Sequence, residues 1–336
     1  MDAKITKQRL SRLLSYDWIK IIGIAVGAIV LWSLIFTMTA TRITPSQQFT
    51  VFNHYANVAF DYSSFYDTYD TTIERNVFSY EILETDAIDL ATAGDDYYTM
   101  CDTRFTTGQG DLMFIPNIPD KDTAITTTDD AGESTITYTH TYPESFLNRY
   151  FTFIISWDEY LEDGKAYLVS YYGEDYANGE LNKAKAERDF RARINKNKDK
   201  RFKRESQIEK GVEEEYERLE KYRDAFVQFE SYLASDAIRL EYVAVTDEKG
   251  EPMVDEQGNV LYDGNYILNL SPDGKNTKLT NTVYYSKVLE DGTKISCSDD
   301  MCVMLFLLPD MDDDYLCEVL LYLNTVIEGS LPTQTA

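Results

Sequence analysis

The sequence is poor in the residues on which most metal, redox and nucleophilic sites depend. Its 336 residues include two histidines, four cysteines and three tryptophans. His54 and His140 are too few for a histidine-rich metal site. No Ser-His-Asp or Cys-His arrangement, phosphate-binding loop or dinucleotide fingerprint stands out. We therefore expect no metal, no cofactor and no catalytic residues, and interpret the protein as one that is not an enzyme.

Carboxylate chemistry is the one enzymatic class that stays open, because the sequence contains 58 Asp and Glu residues. A polysaccharide hydrolase would require two carboxyl groups about 5–10 Å apart in a cleft. The sequence alone singles out no such pair, so this class is kept as an alternative.

The four cysteines are Cys101, Cys297, Cys302 and Cys317. Four residues separate Cys297 from Cys302, which is a poor spacing for zinc. The apolar surroundings of Cys302 and Cys317 favour buried free thiols. Outside the cytoplasm a disulfide is permitted, and if one forms, we expect it to join Cys297 to Cys302.

Positive charge is scarce over most of the chain, which has a formal net charge of −26. Nucleic acid is therefore excluded as a main partner, because phosphate binding needs a basic face. The charge is also divided unevenly. Residues 1–42 contain six basic and two acidic residues, so they carry +4 and the remaining 294 residues carry −30.

An apolar run of twenty residues without a charge extends from Ile21 to Ala40. A helix of this length spans about 30 Å, the thickness of a bilayer's hydrocarbon core. We predict a transmembrane helix over 21–40 that contacts the lipid bilayer, with Trp18 at its interface. The basic residues of segment 1–20 place the N-terminus in the cytoplasm and the rest of this single-pass cell-membrane protein outside. A cleaved signal peptide and a buried core helix are the alternatives.

After a short linker, the pattern of residues 45–118 predicts an α/β lobe. Its predicted elements alternate between strand and helix, which favours a parallel sheet with right-handed crossovers. They are the strand Phe49–Phe52, the helix Phe65–Val77, the strand Tyr80–Leu83, the helix Asp95–Phe105 and the strand Asp111–Pro116.

Residues 119–235 predict a polar β-hairpin, which includes Ser134–Tyr142, followed by a largely helical insertion. Helices are expected from Pro143 to about Leu161 and from Lys165 to Tyr172. Residues 178–234 predict a helical hairpin that turns near Asn195–Lys200, although a single long helix also fits the pattern. The range 183–204 contains eleven basic and three acidic residues. Pairing with the acidic stretch that follows is favoured over binding of an anionic partner.

Residues 236–330 are expected to complete the α/β domain with a β-meander, a buried strand and a final helix. The meander is indicated by turns that end at Gly250, Gly258 and Gly264. The run Cys302–Leu308 is apolar throughout, as in strands that are buried on both faces. The fold class is thus α/β, with a parallel-core sheet, flanking helices, a largely helical insertion and one N-terminal transmembrane helix.

Three stretches resemble the extracytoplasmic solute-binding proteins of bacterial ABC importers, which have the type II periplasmic-binding fold. They are the opening strand, helix and strand up to Leu83, the segment Thr103–Ile115, in which a helix and a glycine precede an Asp and an apolar strand, and the late buried strand with its final helix. The chain departs from that family in having no lipoprotein cysteine and in the almost wholly helical pattern of segment 143–234, where a second lobe would be expected.

The resemblance implies a membrane-anchored recognition protein that binds a small solute or a saccharide for transport. Since ligands of parallel sheets bind at the carboxyl ends of strands, the candidate ligand-binding residues are Asn53, Tyr55 and Asn117. Trp157, a rare residue in the helical insertion, is the fourth candidate. The alternative is a structural or scaffold subunit of an envelope protein complex that acts through the helical hairpin.

Overall fold

The computed structural model describes residues 7–39, 43–56, 59–60, 77–197, 199–247, 250–272, 283–288, 294–297, 300–308 and 315–330. The chain forms two compact units, Met1–Arg42 and Ile43–Ala336.

The first unit contains one long helix, α1 (Lys7–Thr39). Its window Trp18–Ile35 has a mean hydropathy of 2.2, and none of that window is buried in protein. The helix is long and apolar enough to cross a membrane, in agreement with the predicted span 21–40. A signal sequence has the same length and composition, so the finding supports an N-terminal membrane anchor or signal.

The second unit is an α/β structure with helices on both sides of a central sheet. Its strands are β1 (Gln48–Asn53), β2 (Ala59–Phe60), β3 (Glu84–Asp89), β4 (Leu112–Pro116), β5 (Ala124–Thr128), β6 (Ser134–Tyr138), β7 (Ile154–Ile155), β8 (Arg239–Ala244), β9 (Asp263–Asn269), β10 (Val283–Val288), β11 (Lys294–Cys297) and β12 (Met301–Phe306). Its helices are α2 (Tyr97–Thr106), α3 (Tyr142–Tyr150), α4 (Trp157–Tyr172), α5 (Lys183–Asn197), α6 (Glu205–Ala234) and α7 (Tyr315–Ser330). Short 3-10 helices cover Pro45–Gln47, Leu90–Asp96, Lys121–Thr123 and Phe151–Phe153.

The main sheet has the strand order β3-β1-β4-β12-β9-β8, and β7 also pairs with β12. Strand β1 is parallel to both β3 and β4. Strand β12 is antiparallel to β4, β7 and β9, and β8 is antiparallel to β9. The α/β class is therefore confirmed, while the parallel pairings are confined to three strands at one end of a mixed sheet. The polar hairpin is also confirmed, as β5 and β6.

Alternate residues of the central strands enter two hydrophobic clusters on opposite faces of the sheet. Phe49, Val303 and Leu305 lie on the face that packs against α4, α6 and α7. Phe52 and Met304 lie on the face that packs against α2 and α3. Every residue of β12 is buried, which confirms the predicted strand with two covered faces. The predicted parts 45–118, 119–235 and 236–330 all contribute side chains to both clusters.

Two predicted elements are wrong in their boundaries. The strand predicted at Tyr80–Leu83 is a turn and a loop, and β3 begins only at Glu84. The helix predicted from Pro143 to Leu161 ends at Tyr150, because Ile154–Ile155 pairs with β12 instead. A new helix, α4, then continues through Gly164. The helix predicted at Phe65–Val77 lies outside the described residues, except for Val77.

The segment 183–234 forms the predicted helical hairpin, with α5 and α6 as its two arms and residues 199–204 leading into α6. Gly211 of α6 lies where the two arms approach each other. A Cβ atom at this position would come within 2.5 Å of Phe190 Cζ and 2.5 Å of Phe202 Cε1. The glycine therefore permits the contact between the arms, and its low helix propensity is offset by packing.

The variant Gly211→Ala is expected to be less stable than the wild-type protein, although alanine favours helix. Overpacking destabilises a protein by about 1–3 kcal/mol, whereas the higher helix propensity of alanine stabilises it by about 1 kcal/mol. We therefore expect a melting temperature that is lower by a few degrees. The matched control is the exposed Ser206→Ala on the same helix, which should be neutral or slightly stabilising. A Gly211→Ala protein with an increased melting temperature would contradict this packing.

Candidate functional site

The carboxyl ends of the parallel strands bring together two of the predicted site residues. Asn53, at the end of β1, is buried and donates from Nδ2 to Asp89 Oδ1 of β3 at 2.9 Å. Asn117, directly after β4, donates from Nδ2 to Glu241 Oε2 at 3.0 Å. The second oxygen of Glu241 accepts from Asn269 Nδ2 at 2.7 Å. Both asparagines thus lie at the predicted edge and bond to carboxylates of this chain.

Tyr55 lies at the same edge, in an aromatic cluster that sequence reasoning did not identify. Its ring centroid is 4.3 Å from that of His54 and 4.3 Å from that of Tyr97. Burial lowers the pKa of His54 to about 3, so this histidine is neutral at physiological pH. The hydroxyl of Tyr55 donates to Asp122 Oδ2 at 3.4 Å. Whether this edge binds a ligand stays a prediction.

Trp157 does not belong to this edge. It is 0% exposed, its Nε1 donates to the carbonyl of Val303 at 3.2 Å, and its ring stacks on Phe229. It lies in the core cluster on the opposite face of the sheet from the one against which Tyr55 packs. The structure therefore removes Trp157 from the candidate site and assigns it to the core.

Three of the four cysteines, Cys101, Cys302 and Cys317, are buried free thiols. Burial raises the pKa of Cys302 well above its ordinary value, so its thiol is protonated. The structure contains no Cys297–Cys302 disulfide, because Cys302 is free; the side chain of Cys297 lies outside the described residues.

A cleft of about 610 Å³, which we call the hairpin cleft, lies between residues 78–85 and the helical hairpin. This volume is within the range of roughly 300–1,000 Å³ that is typical of small-molecule sites. Aromatic and aliphatic side chains form part of its lining, and polar side chains of both charge signs form the rest. The lining residues are Phe78, Ser79, Tyr80, Ile82, Leu83, Glu84, Thr85, Arg201, Phe202, Gln207, Lys210, Glu214, Glu217, Arg218 and Lys221.

A buried ion pair lies beneath the hairpin cleft. Glu215 and Arg218 of α6 are each 1% exposed, and Arg218 donates to both carboxylate oxygens at 2.9 and 2.7 Å. Arg193 of α5 donates to Glu215 Oε2 at 2.9 Å. Burial alone would raise the pKa of Glu215, but the two guanidinium groups hold it at about 2. Glu215 is therefore ionised, and its charge joins the two arms of the hairpin.

Arg193, together with Arg201, attaches the hairpin to the loop that precedes β3. Arg193 Nη2 donates to Glu81 Oε1 at 2.9 Å, and Arg201 Nη2 donates to Glu81 Oε2 at 2.8 Å. Arg201 Nη1 also donates to the carbonyl of Tyr80 at 2.9 Å. Farther out, Arg191 bridges Glu187 and Glu205. Arg191 and Arg193 thus pair with Glu205 and Glu215 of the acidic stretch, as the favoured interpretation predicts, whereas Arg201 pairs with Glu81 and Asp199 instead.

Two further carboxyl groups, Asp111 and Glu318, are fully buried near this network. Asp111 Oδ2 accepts from the backbone N–H of Thr50 at 2.6 Å. Glu318 accepts both from the backbone N–H of Ser79, at 3.1 Å, and from its hydroxyl. Burial raises the pKa of Asp111 to about 8 and the pKa of Glu318 to about 7. Because Ser79 lines the hairpin cleft, one of these protonatable groups lies directly behind its wall.

This arrangement suits recognition of a ligand. The cleft combines an apolar wall with charged groups that are held in place by buried bonds, which is the usual composition of a binding site. Within the described ranges, no group of three or more His, Cys, Asp or Glu side chains could hold a metal ion. Sequence reasoning missed the cleft because its two walls, residues 78–85 and 201–221, are more than 100 positions apart.

No protein-family model, curated protein or solved structure matches the chain. The resemblance to extracytoplasmic solute-binding proteins therefore stays a prediction, and the geometry of the site carries the functional argument.

The variant Asp111→Asn is expected to reduce the pH dependence of stability. The pKa of this carboxyl rises from 3.8 in the unfolded chain to about 8 in the folded protein, so folding favours the protonated form. The contribution of the protonated carboxyl to the free energy of unfolding is complete below about pH 4 and is lost as the pH rises toward about 8. Between about pH 5 and pH 9, the melting temperature of Asp111→Asn should therefore fall less than that of the wild-type protein. The control Asp163→Asn, at an exposed position, should follow the wild-type curve; if Asp111→Asn also follows it, this protonation is refuted.

Proposed function

We propose that this chain is a membrane-anchored, extracytoplasmic recognition protein that binds a small polar solute in the hairpin cleft. The observation that carries the proposal is the cleft itself, with a volume of about 610 Å³. It is the right size for a small molecule, and its lining combines apolar side chains with charged groups of both signs.

The location outside the cell rests on α1 and on the division of charge. The helix contains an 18-residue apolar window near the N-terminus, and basic residues precede that window in the sequence. Under the positive-inside rule this order favours a cytoplasmic N-terminus and an extracytoplasmic second unit.

The rigidity of the hairpin cleft also favours binding. Arg201 is held by Asp199, Glu81 and the carbonyl of Tyr80, so the floor of the cleft is ordered before any ligand arrives. A preformed site loses less conformational entropy on binding than a site that must be ordered. The lining also contains Gln207 and Lys210, which are exposed on α6 and accessible to a solute.

A thermal-shift screen of the full-length chain in detergent tests this function. Sugars, amino acids and short peptides are the ligands, and the cleft variant is Gln207→Trp, in which the indole is expected to block the cleft. We expect at least one compound class to raise the melting temperature of the wild-type protein by a few degrees and to lose this effect in Gln207→Trp. The matched control is Glu209→Trp, an exposed position of the same helix outside the lining. No shift with any class, together with a protein partner recovered by crosslinking, would instead favour a scaffold subunit.

Protease protection tests the topology. Proteinase K added to intact protoplasts that express the chain with a tag before Met1 should digest the second unit and leave the tag protected by the membrane. Lysed protoplasts, in which the tag becomes accessible, are the control. Digestion of the tag in intact protoplasts would reverse the proposed orientation. In a sample without protease, release of an untagged, full-sized second unit would identify 21–40 as a cleaved signal.

A further inference from the structure

Strand β3 is the terminal strand of the main sheet on the side of the hairpin cleft. Among the described strands it pairs only with β1, through the register Gln48↔Glu84 to Asn53↔Asp89. Its outer edge therefore presents backbone N–H and C=O groups that bond to no other described strand. Such an edge is a ready template for another extended chain.

The hairpin cleft runs along the beginning of this open edge. Glu84 and Thr85 of β3 line one side of the cleft. The other side is formed by α6, whose lining residues recur every three or four positions and so share one face of the helix: Gln207, Lys210, Glu214, Glu217, Arg218 and Lys221. The beginning of a strand that pairs on one side only among the described strands thus lies across a gap from a row of polar side chains, an arrangement that suits peptide recognition by strand addition.

The charges of the cleft indicate the chemistry of the peptide. Lys210 is paired with Glu214 at 2.7 Å, and Arg201 is paired with Glu81 and Asp199. Glu84 and Glu217 are exposed, and within the described part of the chain neither has an ion-pair partner. Residues 43–336 carry a net charge of −30, which also attracts cations. Of the remaining cations of the lining, Arg218 is paired with Glu215 and Lys221 also has an interaction partner. The charges of the lining that lack an ion-pair partner within the described part of the chain are therefore negative.

We propose that the ligand of the hairpin cleft is a short, extended, basic peptide that adds to the free edge of β3. Its backbone bonds to the outer N–H and C=O groups of β3, and a Lys or Arg side chain lies near Glu84 and Glu217. Leu83, which is 43% exposed on the cleft wall, contacts an apolar side chain of the peptide. This inference rests on the proposed function and names the substrate class of the same site.

Fluorescence anisotropy of the full-length chain in detergent at physiological salt tests the inference with defined probes. The first probe is the labelled, amidated hexapeptide in which Lys and Val alternate, and the second has Glu in place of Lys. Two further probes are methylated forms of the Lys peptide. One carries N-methyl groups on all its Lys amides, and the other carries them on all its Val amides. We expect the Lys peptide to bind, the Glu peptide not to bind, and only one of the two methylated forms to lose binding, because alternate amides of an added strand face β3.

The contribution of the two carboxylates is measured with the variant Glu84→Gln/Glu217→Gln. Its affinity for the Lys peptide should be about fivefold to tenfold weaker, as expected for two exposed ion pairs. The matched control is Glu213→Gln/Glu220→Gln, two exposed acids of α6 outside the lining, with the same change in net charge. Equal weakening in both variants, or equal binding of the two methylated peptides, would mean attraction to the acidic chain in general and would overturn the inference.

The same measurements separate this inference from the proposed function. A sugar or amino acid whose effect is lost in Gln207→Trp, with no binding of the Lys peptide, would preserve the cleft as a binding site and reject the peptide. If no sugar, amino acid or peptide binds, both the proposed function and the present inference are rejected.

Discussion

The ionised carboxylate of Glu215 is the constraint on which the second unit is organised. A charge in the protein interior is costly unless its hydrogen bonds are complete, and removing one partner of such a pair typically costs about 3–5 kcal/mol. Glu215 meets this requirement with bonds from Arg218 and Arg193 and from the hydroxyl of Tyr80, which donates at 2.8 Å. Its partners come from α6, from α5 and from the loop before β3, so all three segments must be in place together.

The position of the hairpin cleft follows from this requirement. Because Arg193 and Arg201 bind Glu81 and the carbonyl of Tyr80, the loop before β3 is drawn toward the hairpin and β3 begins at Glu84. Arg218 extends the network inward to Tyr167 and Cys317. The result is a gap between the loop and α6, whose two walls are joined by these bonds.

Much of the fold could be predicted from local pattern. The length of the apolar run 21–40, the β-rich composition of Phe49–Phe52, the short, wholly apolar run of β12 and the helical period of residues 183–234 each predicted the kind of element that the structure has. The prediction was wrong where tertiary bonds override local preference. Tyr80–Leu83 has the composition of a strand, but its backbone and carboxylate bind arginines more than 100 positions away. Tryptophan is a rare residue type in this sequence, yet the size of Trp157 suits a position in the core rather than one that contacts a ligand.

The candidate site, like the fold, could be predicted only in part from the sequence. The rule that ligands bind at the carboxyl ends of parallel strands points to Asn53 and Asn117, which lie at that edge, and their role in binding stays a prediction. It did not reveal that both amides bond to carboxylates of this chain. The low helix propensity of glycine alone would make Gly211 a weak point of the hairpin, and only the positions of Phe190 and Phe202 show that a side chain would not fit there.

The sequence by itself determined the apolar N-terminal helix, the net charges of +4 for residues 1–42 and −30 for the remaining residues, the burial of β12 on both faces and the helical character of residues 183–234. These properties depend on residues that are close together in the chain, so composition and period are sufficient. Only the tertiary structure decided which charges are buried, which are paired and where a cleft remains. Burial and pairing depend on neighbours from distant segments, and the same Glu or Arg is a solvated surface group or the centre of a network according to what packs against it.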